Sequence, residues 1–283
     1  MSSHTSSSPL PPIDADPPRR VRVHHLKKAK EHGQRLTMLT AYDTPTARIF
    51  DDAGIDMLLV GDSYADNMLG FDSTLPVTVE EMIPAVRAVA RGARRAMIVA
   101  DLPFGTYELS AEVAFSTAVR MMKEGGAQAV KVEGGFPMVD HVETLTTAGI
   151  PVVGHLGFTP QSENVLGGRR VQGRGENAGD EIRDEALALQ NAGAIAIVLE
   201  MVPAPIAAQV TSAVDIPTIG IGAGPDCDGQ VLVWLDLAGM GDWSPRFAKR
   251  YLEMGRELTK AAQQYASEVR SGAFPSEEYL FKD

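Results

Sequence analysis

"AMIVADLPFG", Ala96–Gly105, carries an unbroken apolar run into an aspartate and then breaks on Leu-Pro-Phe-Gly. A run that is apolar throughout, rather than alternating, suits a parallel strand buried on both faces. Asp is a common turn residue, so one carboxylate at the break says little alone. Its meaning depends on whether other runs in the chain end the same way.

They do. "RLTMLTAYD" (Arg35–Asp43), "DMLLVGDS" (Asp56–Ser63), "QAVKVEGG" (Gln128–Gly135) and "IPVVGHLG" (Ile150–Gly157) repeat the rhythm. "AIAIVLEMV" (Ala194–Val202), "IPTIGIGAG" (Ile216–Gly224) and "QVLVWLDLAG" (Gln230–Gly239) complete it. Between most runs lie helical patterns. "TVEEMIPAVRAVARG" opens with a Thr cap signal followed by Glu, and "SAEVAFSTAVRMMKEGG" opens with Ser and closes on paired glycines. Eight strand units in even spacing predict an α/β fold, a (β/α)8 TIM-type barrel. A doubly wound open sheet is the runner-up. "PDCDG" (Pro225–Gly229), between the seventh and eighth runs, is too short for a full helix, so one crossover is expected to be missing. The stretch from Pro245 to about Ser271 reads as closing helices.

Composition sets the outer limits. With 44% apolar and 22% charged residues the chain of 283 can bury a large core. Its net charge of −11 argues against nucleic acid or an anionic membrane as partner. No apolar run approaches the ~20 residues of a membrane span. A single cysteine, Cys227, fits a reducing compartment, and residues 1–20 lack the apolar core of a signal peptide, so a cytoplasmic protein is expected. That Ser- and Pro-rich stretch, 1–20, reads as a disordered tail, leaving 21–283 as a single catalytic barrel domain.

In a barrel of this kind the C-terminal strand ends converge on one mouth, where active sites sit. The run ends deliver Asp62 and Ser63, Asp101, Lys131 and Glu133, His155 and Glu200 to that rim, with Asp43 closing the first run. Singly, each has an equally good reading as a turn residue or helix cap. Together they predict a site, because clustered carboxylates repel unless a cation sits among them. Asp62, Asp101 and Glu133 are hard oxygen ligands, a set that selects Mg²⁺ or Mn²⁺ over Zn²⁺. Lys131, two residues before Glu133, projects to the same side of its strand and suits a substrate carboxylate or a developing enolate. Glu200, arriving from a very apolar run, suits a general base, and His155 a hydrogen-bond donor. The chemistry so specified is metal-assisted proton abstraction beside a carbonyl, or an aldol or retro-aldol step.

Two further stretches bear on the mouth. "GIGAGPDCDG" (Gly220–Gly229) lies where many barrels bind phosphate, but with no Lys or Arg close in sequence a tight turn is the better reading. "PQSENVLGGRRVQGRGENAGD" (Pro160–Asp180) is Gly- and Arg-rich and reads either as a loop that closes on substrate or binds an anion, or as plain surface.

At these same residues the sequence resembles the ketopantoate hydroxymethyltransferase family. The matching stretches are "MLTAYD", "LLVGDS", "ADLPFG", "AVKVEGG", "PVVGHLGFTPQS", "IVLEMVP" and "IGIGAGPDCDGQVLV", in order from Met38 to Val233. Thr106, Val132 and Phe158 depart from the residues common in the family, and none is a proposed ligand. The resemblance implies a (β/α)8 barrel using Mg²⁺ and 5,10-methylenetetrahydrofolate. By it, Asp62, Asp101 and Glu133 hold the metal, and Glu200 is the catalytic base. Asp62, Ser63, Asp101, Lys131 and His155 bind the 2-oxo acid. The implied reaction adds a hydroxymethyl group to 3-methyl-2-oxobutanoate through a Mg-stabilised enolate, giving 2-dehydropantoate, the first committed step of pantothenate and coenzyme A biosynthesis. A homo-oligomer, commonly a decamer, is implied too. The alternative is a Mg-dependent barrel lyase or mutase acting on another 2-oxo acid. Many of those use a cysteine in a mobile loop, and the only cysteine here lies in the "PDCDG" turn.

Overall fold

Each apolar run forms a strand in the computed structural model, which describes residues 20–175 and 177–281. The strands are β1 (Leu36–Thr40), β2 (Met57–Val60), β3 (Met97–Asp101), β4 (Ala129–Glu133), β5 (Val152–Gly157), β6 (Ala196–Glu200), β7 (Thr218–Ile221) and β8 (Gly229–Leu232). They close into one barrel in sequence order, and the registered neighbours from β1 to β8 pair parallel. The helices are α1 (Val23–Glu31), α2 (Thr44–Asp52), α3 (Val79–Gly92), α4 (Ala111–Arg120) and α5 (Val139–Thr147), then α6 (Glu163–Leu166), α7 (Ala178–Asn191), α8 (Ala204–Ala213), α9 (Trp234–Ala238) and α10 (Met254–Ser271). The chain divides into two compact units at Val231–Leu232.

Residue type explains the local starts. Thr78 caps α3 through the Glu81 amide, and the Glu81 side chain returns to the Thr78 amide at 2.9 Å, a reciprocal cap. Asp43 accepts from the Thr46 amide at 2.8 Å and starts α2. That settles its two readings: Asp43 is a helix cap, and the rim acids begin with Asp62.

Inside the barrel the side chains follow the two-residue period of a strand. Met57 and Leu59, Met97 and Val99, Ala129, Val153, Ala196 and Val198, and Ile219 and Ile221 form one buried apolar cluster. Continued two residues toward the C-terminal end, the same inward series becomes polar at Asp101, Lys131, His155 and Glu200, and at Glu133 two residues further. The core thus ends in charge on four adjacent strands.

Between β7 and β8 the described chain has no helix, as the length of "PDCDG" predicts. Asp228 organises that turn. It accepts from Thr218 N and from Lys30 Nζ, each at 2.9 Å, while its carbonyl takes the Leu36 amide and closes β8 against β1. Cys227, one residue earlier, is buried. The closing helix is shorter than the sequence suggests. Residues 241–253 are non-helical, and Pro245 within them lacks the N–H that a helix interior requires. No described helix is long and apolar enough to cross a membrane. The expected tail lies outside the described residues except for Arg20, whose guanidinium donates to the carbonyls of Ala96 (2.9 Å) and Ala93 (3.2 Å).

Candidate active site

Strand register brings the rim residues together. Asp101 on β3 is the register partner of Lys131 on β4, and Glu133 is that of His155 on β5. Asp62, just past β2, donates its backbone N–H to Asp101 Oδ2 at 3.0 Å. Lys131 Nζ lies 3.3 Å from Asp101 Oδ1, 3.4 Å from Glu133 Oε1 and 3.0 Å from His155 Nδ1. His155 Nδ1 is also 3.1 Å from Glu133 Oε1, and its Nε2 lies 3.3 Å from Glu200 Oε2. That last pair is at ion-pair distance but outside good hydrogen-bond geometry. Asp62, Asp101, Lys131, Glu133 and His155 are all buried, whereas the Glu200 side chain keeps 17% of its surface open.

Two glycines make room for this packing. A Cβ on Gly61 would meet Ser63 Oγ at 2.8 Å and Asp101 Oδ2 at 3.3 Å, so the hydroxyl and the carboxylate flank a bare backbone. Ser63 Oγ is 2.8 Å from the Tyr42 hydroxyl, which fixes its direction. Gly157 has φ +91°, and a Cβ there would lie 2.3 Å from the Glu200 carbonyl. Only glycine combines that dihedral with so close an approach. The next residue after Glu200, Met201, also sits in the left-handed region at φ 48°, which costs a non-glycine residue about 1–2 kcal/mol. Its N–H donates to the Ile221 carbonyl and its carbonyl accepts from Gln172 N, each at 2.9 Å, and these bonds hold it there.

The electrostatics follow from burial and proximity. Burial and the neighbouring Glu133 and Asp101 push the Asp62 carboxyl well above its ordinary value. Burial also raises Asp101, against the pull of Lys131. Glu133 is buried too, but Lys131 and His155 beside it bring its carboxyl down to about 2. Burial would lower the Lys131 ammonium, yet Asp101, Glu133 and Asp62 hold it above its ordinary value. Burial and Lys131 disfavour a charged His155 ring, and Glu133 and Glu200 outweigh them, so the ring titrates above the usual histidine range.

The cluster is rich in negative charge. Among the described residues no three His, Cys, Asp or Glu side chains converge as a ready-made metal shell; the carboxylates turn instead toward Lys131 and His155. The chemistry of the set nevertheless fits a hard divalent cation. All candidate donors are carboxylate oxygens, burial and the neighbouring Glu133 and Asp101 disfavour a charged Asp62 in the absence of a further cation, and the buried Asp101 Oδ1 makes no hydrogen bond, facing only the Lys131 ammonium at 3.3 Å.

Three participants carry no charge and were not predicted from sequence: Tyr42, Tyr107 and Gln161. Gln161 lies in the short helical turn Pro160–Ser162 after β5. Its backbone N–H donates to Glu133 Oε2 at 3.0 Å and its side-chain amide to Asp62 Oδ2 at 2.9 Å. The loop expected to cover the mouth is therefore rooted among the acids at its first turn. Further along it, Arg169 lies 3.9 Å from Asp66 and 3.8 Å from Glu163.

Comparison with known proteins adds to this geometry. The family described as ketopantoate hydroxymethyltransferase matches residues 20–277. A protein of Saccharopolyspora erythraea named 3-methyl-2-oxobutanoate hydroxymethyltransferase is 62% identical over 265 residues, 93% of this chain and 90% of its own length. Proteins of the same name from Mycobacterium marinum and Mycobacterium tuberculosis are 56% and 54% identical, over 98% and 99% of this chain and 95% and 100% of theirs. Among solved structures, phosphonopyruvate hydrolase in complex with oxalate and Mg²⁺ aligns with a TM-score of 0.59 at 14% identity, over 92% of this chain and 91% of that one. A 2,3-dimethylmalate lyase aligns with a TM-score of 0.59 at 16% identity, over 91% and 88%. Those two likenesses are of fold.

Proposed function

The chain belongs to the ketopantoate hydroxymethyltransferase family and is a hydroxymethyltransferase, and from that premise we propose that it transfers the one-carbon unit of 5,10-methylenetetrahydrofolate to 3-methyl-2-oxobutanoate. The products are 2-dehydropantoate and tetrahydrofolate, at the first committed step of pantothenate and coenzyme A synthesis. The observation that carries the reading is the series of inward positions that ends in Asp101, Lys131, Glu133, His155 and Glu200 on four adjacent strands.

Asp62, Asp101 and Glu133 would hold Mg²⁺, which when bound supplies Lewis acidity toward the 2-oxo group. Asp62, Ser63, Asp101, Lys131 and His155 bind and orient the oxo acid. Tyr42 aims the Ser63 hydroxyl, and Lys131 brings a permanent cation to the substrate's anionic end. Glu200 takes the C3 proton, with its carboxylate beside the His155 ring. The C3 electron pair then forms the new carbon–carbon bond to the folate methylene, whose two carbon–nitrogen bonds break. One water supplies the hydroxyl oxygen and the two protons the folate nitrogens take up, and the C3 proton ends on the new hydroxyl. The lyase and mutase alternative gains nothing from the site, since Cys227 is buried in the β7–β8 turn.

The test is proton NMR of 3-methyl-2-oxobutanoate in D₂O with Mg²⁺, with EDTA, and without folate. The C3 proton signal is expected to disappear only with Mg²⁺. Persistence of that signal in every condition, including with a folate analogue added, would overturn the proposal.

The same reading places the enzyme in the cytoplasm and makes it a homo-oligomer, a decamer by family resemblance. Its support is α10, which buries none of its residues and exposes Leu258, Tyr265 and Val269. Sedimentation of the purified protein checks the assembly, and a monomer at micromolar concentration would remove it.

A further inference from the structure

Gln161 is 6% exposed, and each polar group of its side chain has a partner. The side-chain Nε2 donates to Asp62 Oδ2 at 2.9 Å and to the Leu102 carbonyl at 3.0 Å. Its Oε1 accepts from the Tyr107 hydroxyl at 2.6 Å, and that hydroxyl accepts in turn from Glu133 N at 3.1 Å. The backbone N–H of Gln161 goes to Glu133 Oε2 at 3.0 Å. One residue after β5 thus ties together the segments that follow β2 and β3 and the end of β4.

The direction of every bond in this strap is determined. A flipped amide would set Oε1 against a carboxylate and a carbonyl, both acceptors, and would leave two donors facing the Tyr107 hydroxyl. The strap takes up one oxygen of Asp62 and one of Glu133. Because the amide is neutral, it orients these acids without neutralising either, whereas a lysine at this place would compete with the bound cation and a glutamate would repel both carboxylates.

We propose that Gln161 is a positioning residue that fixes the Asp62 and Glu133 carboxylates for ligand binding and makes their geometry depend on the seating of the Pro160–Ser162 turn. This rests on the reading that Asp62 and Glu133 bind the divalent cation. Groups that orient a metal's ligands typically contribute about 10–100-fold to affinity, and two of the three acids are held by this one residue.

The experiment titrates Mg²⁺, and Mn²⁺ by electron paramagnetic resonance, into the substrate-free full-length protein and its variants. Gln161→Met keeps the volume and removes the side-chain bonds. It is expected to raise the metal Kd by about 10–100-fold, with the thermal unfolding curve still cooperative. Tyr107→Phe removes the donor to Oε1 together with the acceptor of the Glu133 N–H, and should give a rise in the same direction; it carries the test if Gln161→Met does not fold. A purely structural role would lower the Tm and leave the Kd of the folded protein unchanged, and that result overturns the inference. Wild-type protein that binds neither cation would sink the metal reading and this inference with it. Tight wild-type binding with unaltered variants sinks this inference alone.

Discussion

Glu200→Gln is expected to lower kcat by about 10²–10⁴-fold, the usual contribution of a positioned general base, while 3-methyl-2-oxobutanoate should still bind. The substitution keeps the shape and removes the proton acceptor 3.3 Å from His155 Nε2. Under the proposed function the oxo acid is held by Asp62, Ser63, Asp101, Lys131 and His155 rather than by Glu200, so its affinity should change by less than about tenfold. Steady-state kinetics with titration calorimetry reads both quantities. Wild-type turnover in the variant would take Glu200 out of the role, and loss of binding in step with turnover would make it a binding residue instead.

Lys131→Met has the largest effect on the protein itself. The ammonium lies among Asp101, Glu133 and Asp62 and is 4% exposed. Removing one partner of a buried ionic cluster leaves uncompensated charge and costs about 3–5 kcal/mol. The fall in stability with rising pH that the raised Asp62 and Asp101 carboxyls already impose should also steepen. In the parent protein the Glu133 carboxyl is depressed to about 2, so its contribution is fully present above its ordinary value of 4.5 and is lost as pH falls toward 2. In the variant burial acts without Lys131, so Glu133 joins Asp62 and Asp101 above its unfolded value and those two rise further. The folded state then binds more protons than the unfolded one, and stability falls as pH rises. Urea midpoints at pH 5 and pH 8 are expected to show the variant more stable at the lower value. A variant destabilised equally at both would place the cost in packing rather than charge. Parental stability throughout would contradict the ion cluster.

The strand ends were legible in the sequence because the two-residue period of an inward face is local. Val99 and Asp101, or Val198 and Glu200, sit two apart on one strand, and a carboxylate among apolar residues stands out. The missing β7–β8 helix was equally legible, from length alone. Asp43 looked like its fellow acids, since a cap and a site ligand can both follow a strand; only the Thr46 amide at 2.8 Å tells them apart. Gln161 and Tyr107 left no such mark. Both are neutral, and their partners are remote, 99 residues for Gln161 to Asp62 and 26 for Tyr107 to Glu133. Nothing in the local pattern of "TPQS" indicates that a glutamine there reaches the acids of two other strands. Its presence in a stretch resembling the family marked the place without the reason.

The seam between β8 and β1 divides the ring in a way that bears on local opening. Its bonds join the two ends of the barrel's sequence, as the Leu36 amide does with the Asp228 carbonyl, whereas every other strand pair joins neighbours in sequence. All the rim acids stand on or beside β2 to β6, and the turn without a helix lies between β7 and β8. Fluctuations that part the ring at its least local bonds therefore arise on the arc that carries no acid. The arc from β2 to β6 is an unbroken run of sequence-adjacent strands and can stay registered while the seam breathes. Amide protons at Leu36 and Thr218 would then exchange through openings that leave those at Lys131 and His155 protected.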